Sequence, residues 1–220
     1  MGAIFAKYDI FGAFLVTIEL AALSAIGALV IGTVVAILRM SPVPVLQFAG
    51  TAYVNLVRNT PLTVLMVTSI LGVSFILGLS WSDDARTNAF IWGAIVLSVY
   101  HAAFVCEALR SGVNTIPVGQ AEAARSIGLT FQQSLTEVIL PQAFRGAIAP
   151  LGSTLIALIK NTTVVAVIGV ADAANLMSVI IENETGGVLV FGIFAVGFVI
   201  LTLPVGVWFT SLSRRLAVKR

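Results

Sequence analysis

The chain has 220 residues, 59% of them hydrophobic and 10% charged, with a formal net charge of +2; its mean hydropathy is +1.06. Soluble domains carry about 25% charged residues, so the composition excludes an ordinary water-soluble globule, and no polar interval is long enough to bury a core of its own. One cysteine, Cys106, and one histidine, His101, exclude an internal disulfide, a cysteine-based metal site and a histidine cluster.

Several apolar runs exceed the roughly 20 residues that cross a hydrocarbon core as a helix. They are continuous and do not alternate with a period of two, which selects helices over barrel strands. The predicted fold class is an all-α polytopic membrane protein. It is a single transmembrane domain over 1–220, with five spans at about 10–38, 43–79, 89–111, 148–170 and 188–212. No cationic stretch or small-residue cleavage site precedes the first run, which reads as a retained span. It contains Glu19 and ends at Arg39-Met40-Ser41-Pro42. The second, as one straight helix, would reach about 55 Å, so it is tilted, partly interfacial or broken. Arg58-Asn59-Thr60-Pro61 marks the break, because proline lacks a backbone donor and clashes with the preceding turn. In the third span Glu107 and Arg110 stand at i, i+3 and can pair on one helix face. The fifth contains Pro204.

Five spans put the termini on opposite sides, and the charges orient them. One set of ends holds Arg39, then Arg110, Arg125 and Arg145, then Arg214, Arg215, Lys219 and Arg220. The other holds Lys7 and Arg86 among Asp83, Asp84, Asp172, Glu182 and Glu184. The positive-inside rule therefore places the C-terminus in the cytoplasm and the N-terminus outside.

Between spans three and four lies the longest polar interval, Asn114 to Pro150, with a cytoplasmic loop at 114–147. Thr115 is expected to cap a short helix with Pro117 in its first turn. That helix continues through Gln120, Glu122, Ala123, Ala124 and Arg125, and Gly128 ends it in a left-handed conformation. Thr130 is expected to cap a second helix, from Phe131 to about Ile139, before Leu140-Pro141 turns the chain towards the fourth span. The small Ala123 and Ala124 beside Gly128 leave room for another protein to approach. An ordinary amphipathic loop is the alternative reading.

Two cation–Asn–Thr segments interrupt the spans. Arg58-Asn59-Thr60 precedes Pro61, where Asn59 or Thr60 would cap a half-helix whose positive end points into the bundle. Lys160-Asn161-Thr162-Thr163 lies near the middle of the fourth span, where a charge costs about 2.5–3.5 kcal/mol on insertion scales and so faces a cavity or a partner. One reading makes Arg58, Asn59, Thr60, Lys160, Asn161 and Thr162 a path for an anionic or zwitterionic amino acid. The other has Arg58 snorkelling near the cytoplasmic interface and Lys160 pairing with Glu19 or a sister subunit. There is no nucleotide-binding Gly-rich loop ending in Gly-Lys-Ser/Thr, no nucleophile–base pair and no metal-ligand set, so the chain reads as a non-enzyme.

Glu122-Ala123-Ala124, then Gly128 after three intervening residues, then Val138 and Leu140-Pro141, resembles the EAA loop of permease subunits in bacterial ABC importers. Valine replaces the usual isoleucine at 138. The likeness covers nearly the whole chain. Tyr53-Val-Asn-Leu-Val-Arg58-Asn59-Thr60-Pro61-Leu62, Glu107-Ala-Leu-Arg110-Ser-Gly112 and Pro117-Val-Gly-Gln120 look like the polar-amino-acid uptake branch, and Ile156-Ala-Leu-Ile-Lys160-Asn161-Thr162-Thr163 is similar to its glutamate-type permeases. The resemblance implies the permease fold of type I ABC importers and a multi-pass subunit of the bacterial cytoplasmic membrane, in contact with lipid and not with nucleic acid. It implies pairing with a homologous second permease, a heterodimer before a homodimer. It also implies a cytoplasmic ATPase dimer that binds ATP and Mg, and an extracellular or lipid-anchored amino-acid-binding protein. Glu122, Ala123, Ala124, Gly128, Leu140 and Pro141 would couple to the ATPase. The cargo it implies is glutamate, with glutamine or another polar amino acid as the alternative. From a different class comes the ion-coupled secondary transporter, with Glu19, His101 and Lys160 as a relay; it needs no coupling loop.

Overall fold

A computed structural model describes residues 6–216; Lys219 and Arg220, two of the basic tail residues, lie outside that range. The first helix, α1 (Ile10–Met40), starts at Asp9, whose carboxylate accepts from the Gly12 amide at 2.8 Å, and carries Arg39 in its last turn, where the helix dipole favours a cation. After Ser41 the chain enters α2 (Pro44–Arg58), then α3 (Leu62–Val67), which continues as a π-helix through Thr68–Ile76. The two halves, Pro44–Arg58 and Leu62–Ile76, meet at 98°. The second span is therefore broken. Pro61 itself occupies the N-cap of α3 and makes no side-chain cap bond. Asn59 and Thr60 do not cap it. Their side chains donate backwards to the Asn55 and Leu56 carbonyls, at 2.7 and 2.8 Å, and so satisfy the orphan acceptors at the end of α2.

The third span is α4 (Ala85–Asn114), capped by Asp84, whose carboxylate accepts from the Thr87 amide at 2.8 Å. It packs along α1. The core here joins Leu20, Leu62, Met66, Leu97 and Val165 towards one end and Val35, Val54, Val57, Ala103 and Cys106 towards the other. The polar interval contributes α5 (Val118–Ser126) and α6 (Phe131–Gln133), which runs through a π-helical stretch, Ser134–Ile139, into α7 (Leu140–Asn161). Leu140-Pro141 therefore does not turn the chain. Pro141 lies in the first turn of α7, where its missing donor is tolerated, and the helix simply changes register. After Asn161 the span tightens to a 3₁₀ segment, Thr162–Ile168, and ends at Gly169. The outer loop 171–187 folds into a helix absent from the sequence reading, α8 (Ala173–Asn183), capped by Asp172. The last span is α9 (Gly187–Leu216), continuous through Pro204.

Four helices are long and apolar enough to cross a membrane by length and composition, and the bent pair makes up to five. The charged ends segregate as the positive-inside reading requires. Lys7 pairs with Glu184 at 2.6 Å at one end, and Arg39, Arg58 and Arg110 gather at the other around Glu107. Where α4 meets α7 the backbones nearly touch. A side chain at Gly112 would strike the Ala143 carbonyl and the Ala147 backbone, so the base of the polar interval is clamped between two spans.

Candidate functional site

The short helix α5 stands proud of the bundle. Among its residues Glu122, Ala123, Arg125 and Ser126 are exposed, as are Ile127 and Gly128 beyond it; Ala124 is buried, at 4% exposure. Val118 and Ile127 leave 76% and 78% of their surface uncovered. Both are large apolar side chains left uncovered on the polar interval between α4 and α7. The N-terminus of α5 has no side-chain cap. Thr115 does not supply one, because its hydroxyl donates to the Gly112 carbonyl at 2.7 Å and closes α4 instead.

The far end of α5 is tightly specified. Leu129 N–H bonds Ala124 O at 3.2 Å and Gly128 N–H bonds Arg125 O at 3.0 Å, the paired closure of a Schellman motif. That closure needs a left-handed residue, and Gly128 has φ +87° with nothing within 4 Å of where a Cβ would be. Conformation, not crowding, selects glycine. Next, Thr130 and Gln133 form a reciprocal capping box: the Gln133 amide donates to the Thr130 hydroxyl at 3.3 Å and the Thr130 amide to Gln133 Oε1 at 3.0 Å. Two short helices thus sit on defined corners above the α4–α7 clamp. Leu140 and Pro141 are exposed at the start of α7, in the same cytoplasmic layer.

The second set of residues does not form one cluster. Arg58 lies 3.6 Å from Glu107, which also pairs with Arg39 and, at 3.4 Å, with Arg110. Arg39 and Arg110 mark the cytoplasmic ends of their spans, so Arg58 belongs to that end. The 98° bend comes after Arg58 and turns the chain into α3. Lys160 is exposed and makes no ion pair with Glu19 or any other carboxylate among the described residues. Asn161 is half-buried and bonds to His101 across the bundle, Nδ2 to Nε2 at 3.2 Å. Thr162 is fully buried and its hydroxyl donates to Ile159 O at 2.7 Å, which helps tighten the helix there. Between the two cation segments lie aromatic side chains of α4. The Arg58 guanidinium sits 5.4 Å over the Phe104 ring, Phe104 is 6.1 Å from His101, and His101 touches Asn161. The linking role of His101 was not legible in sequence, where a lone histidine has no pattern to announce it. Among the described residues no cluster of His, Cys, Asp and Glu could hold a metal.

Residues 28–218 match the family described as "Binding-protein-dependent transport system inner membrane component". The chain belongs to this family. It is 50% identical over 214 residues, 94% of both chains, to the "Glutamate transport system permease protein GluC" of Corynebacterium glutamicum. It is 35% identical over 86% of its length, and 85% of the relative's, to the "Probable glutamine ABC transporter permease protein GlnM" of Bacillus subtilis. A solved structure described as "Crystal structure of an amino acid ABC transporter with histidines" superposes with a TM-score of 0.84 at 27% identity, covering 94% of this chain and 93% of that one. The protein is thus a multi-pass membrane permease of the ABC type, one component of a binding-protein-dependent transport system, with the all-helical type I permease fold.

Proposed function

We propose that this permease carries glutamate inwards, in a complex with a homologous, non-identical second permease, a cytoplasmic ATPase dimer and an external or lipid-anchored binding protein. ATP and Mg are bound by the ATPase, not by this chain. The observation that carries the coupling half is α5, an exposed helix with uncovered Val118 and Ile127 and a fixed left-handed exit at Gly128. Glu122, Ala123 and Gly128 offer an exposed ridge for a groove in the ATPase, the buried Ala124 seats that ridge on the loop, and Leu140-Pro141 pass the push into α7. The α4–α7 clamp at Gly112 makes the two spans move together.

The cargo half rests on the likeness to a glutamate permease over 94% of the chain and on an uncompensated Lys160 in an apolar span. A lysine there needs an aqueous cavity or a protein cover. Lys160 meets a carboxylate of the substrate with Asn161 next to it, Thr162 shapes the helix that presents them, and Arg58 with Asn59 and Thr60 attracts the anion at the inner mouth. The exposed Glu19 marks the face that the second permease covers. Glutamine is the competing cargo, on the likeness to the glutamine permease.

The test is radiolabelled uptake by the reconstituted complex from a panel of L-amino acids. Glutamate should be taken up fastest, and Lys160→Ala should lower that uptake about tenfold or more, as loss of a partner for a desolvated charge implies. Uptake of glutamine in preference to glutamate overturns the cargo assignment; unchanged uptake by Lys160→Ala removes that residue from the path.

A further inference from the structure

The contact between His101 and Asn161 has a direction that the hydrogen inventory fixes. His101 is 1% exposed. Its Nδ1 lies 3.0 Å from the Leu97 carbonyl oxygen, which can only accept, so Nδ1 carries the proton and donates. In a neutral imidazole Nε2 is then an acceptor. The group 3.2 Å from it must therefore be the Asn161 NH₂, which leaves Oδ1 directed away from the histidine. The ring is also held in place. Tyr100 packs against it edge-on at 5.3 Å and Phe104 at 6.1 Å. Asn161 is the last residue of α7 before the tightened segment Thr162–Ile168, and it adjoins the exposed Lys160.

We propose that His101 is a positioning residue for transport: by accepting from the Asn161 amide it turns Oδ1 away from the ring as a free acceptor, one residue along the helix from Lys160. An acceptor next to a cation suits a zwitterion, with the substrate's α-ammonium on Asn161 Oδ1 and a carboxylate on Lys160. Without the Nε2 acceptor the carboxamide is free to flip, and its NH₂ then repels the α-ammonium. This rests on the reading that Lys160 and Asn161 line the path. Glu19, His101 and Lys160 then need no proton relay between them, since His101 acts as a fixed neutral dipole.

The experiment compares His101→Phe, His101→Gln, Asn161→Ala and the double variant His101→Phe/Asn161→Ala in the full reconstituted complex. Uptake kcat is read with whichever of L-glutamate and L-glutamine the wild type transports. His101→Phe and Asn161→Ala should each lower kcat about tenfold, and the double variant should lie within about twofold of Asn161→Ala, because residues acting as one unit are not additive. His101→Gln, which keeps an acceptor, should retain at least about half of the wild-type rate, a loss within the ~1 kcal/mol worth of one hydrogen bond. If the effects of His101→Phe and Asn161→Ala multiply, or if His101→Phe transports normally, the positioning role is wrong while the path stands. If Asn161→Ala and Lys160→Ala both transport normally, the path reading itself fails. Should His101→Phe not assemble, His101→Gln decides alone: a tenfold loss overturns the proposal.

Discussion

At Glu107 one carboxylate faces the guanidiniums of Arg39, Arg58 and Arg110, and it ties the ends of α1, α2 and α4 together. Removing it leaves three like charges close to one another. Arg39 has a side chain only 12% exposed and suffers most. Glu107→Ala should therefore destabilise the permease by about 1–3 kcal/mol, between an exposed and a buried pair, a fall in detergent melting temperature of roughly 2–10 °C at this chain length. An unchanged melting temperature would show the cluster to be ornamental. Gly128 makes a different prediction. Any L-residue at φ +87° pays about 1–2 kcal/mol and loosens the Schellman closure. Gly128→Val should leave the spans folded, with a melting temperature lower by no more than roughly 2–8 °C, and should cut ATP-driven uptake at least about tenfold, because the exit angle of α5 is lost.

Asp172 gives a pH signature. It is fully buried at the start of α8, where Oδ1 accepts from the Asn175 amide at 3.0 Å and Oδ2 has no partner. Burial raises its pKa from 3.8 to about 6, against the lowering pull of the backbone amides. A raised carboxyl pKa means that the folded chain holds the proton more tightly than the unfolded one. Its protonation therefore favours folding at low pH, and that advantage is lost as pH rises from about 4 to about 6. Asp172→Asn keeps the capping oxygen and removes the charge. Its melting temperature relative to wild type should be higher at pH 7.5 than at pH 5; a difference independent of pH would mean that the carboxyl is not titrating in this window.

At the scale of elements, the spans and their orientation were legible because continuous apolar runs and segregated charges depend on composition alone. The break at Pro61, the left-handed Gly128 and the Thr130 cap were legible because each rests on one residue's backbone chemistry. What failed was the choice between neighbours. Thr115 stands between two helices and its hydroxyl could close either; the carbonyl of Gly112 won because it points out of the C-terminal end of α4, towards Thr115. Asn59 and Thr60 made the same backward choice. Pro141 looked like a corner, yet a proline in a helix's first turn costs nothing there, and the π-helical run before it absorbs the change of register. Arg58 was placed in the path or at the interface with equal sense, since only the course of α2 and the contact with Glu107 decide. The clamp between α4 and α7 was equally invisible, because Gly112 shows its purpose only against Ala143 and Ala147. Gly112→Val should force the two helices apart at a cost of about 1–3 kcal/mol for overpacking, and should reduce the yield of assembled complex in size-exclusion chromatography; normal assembly would mean that the two helices part without penalty.

For the whole molecule, the proposed engine contact and the proposed cargo contact lie in different places. The first lies in α5, on the cytoplasmic layer with the basic residues. The second lies between α4 and α7, where Lys160 and Asn161 sit beside a tightened helix held by His101. In the proposed mechanism, movement of the first would reach the second along α7, which begins at Leu140 and ends at Asn161. An ion-coupled carrier would have no use for an exposed, sharply terminated helix on its cytoplasmic loop. The two mechanisms divide on a single measurement. Proteoliposomes carrying the complete complex and its binding protein are loaded with ATP and Mg, proton and sodium gradients are collapsed with ionophores, and uptake of radiolabelled glutamate is followed. Uptake should persist with ATP and vanish when the ATPase subunit is omitted. Uptake that stops on collapse of the gradients, or that continues without the ATPase, would contradict coupling through α5.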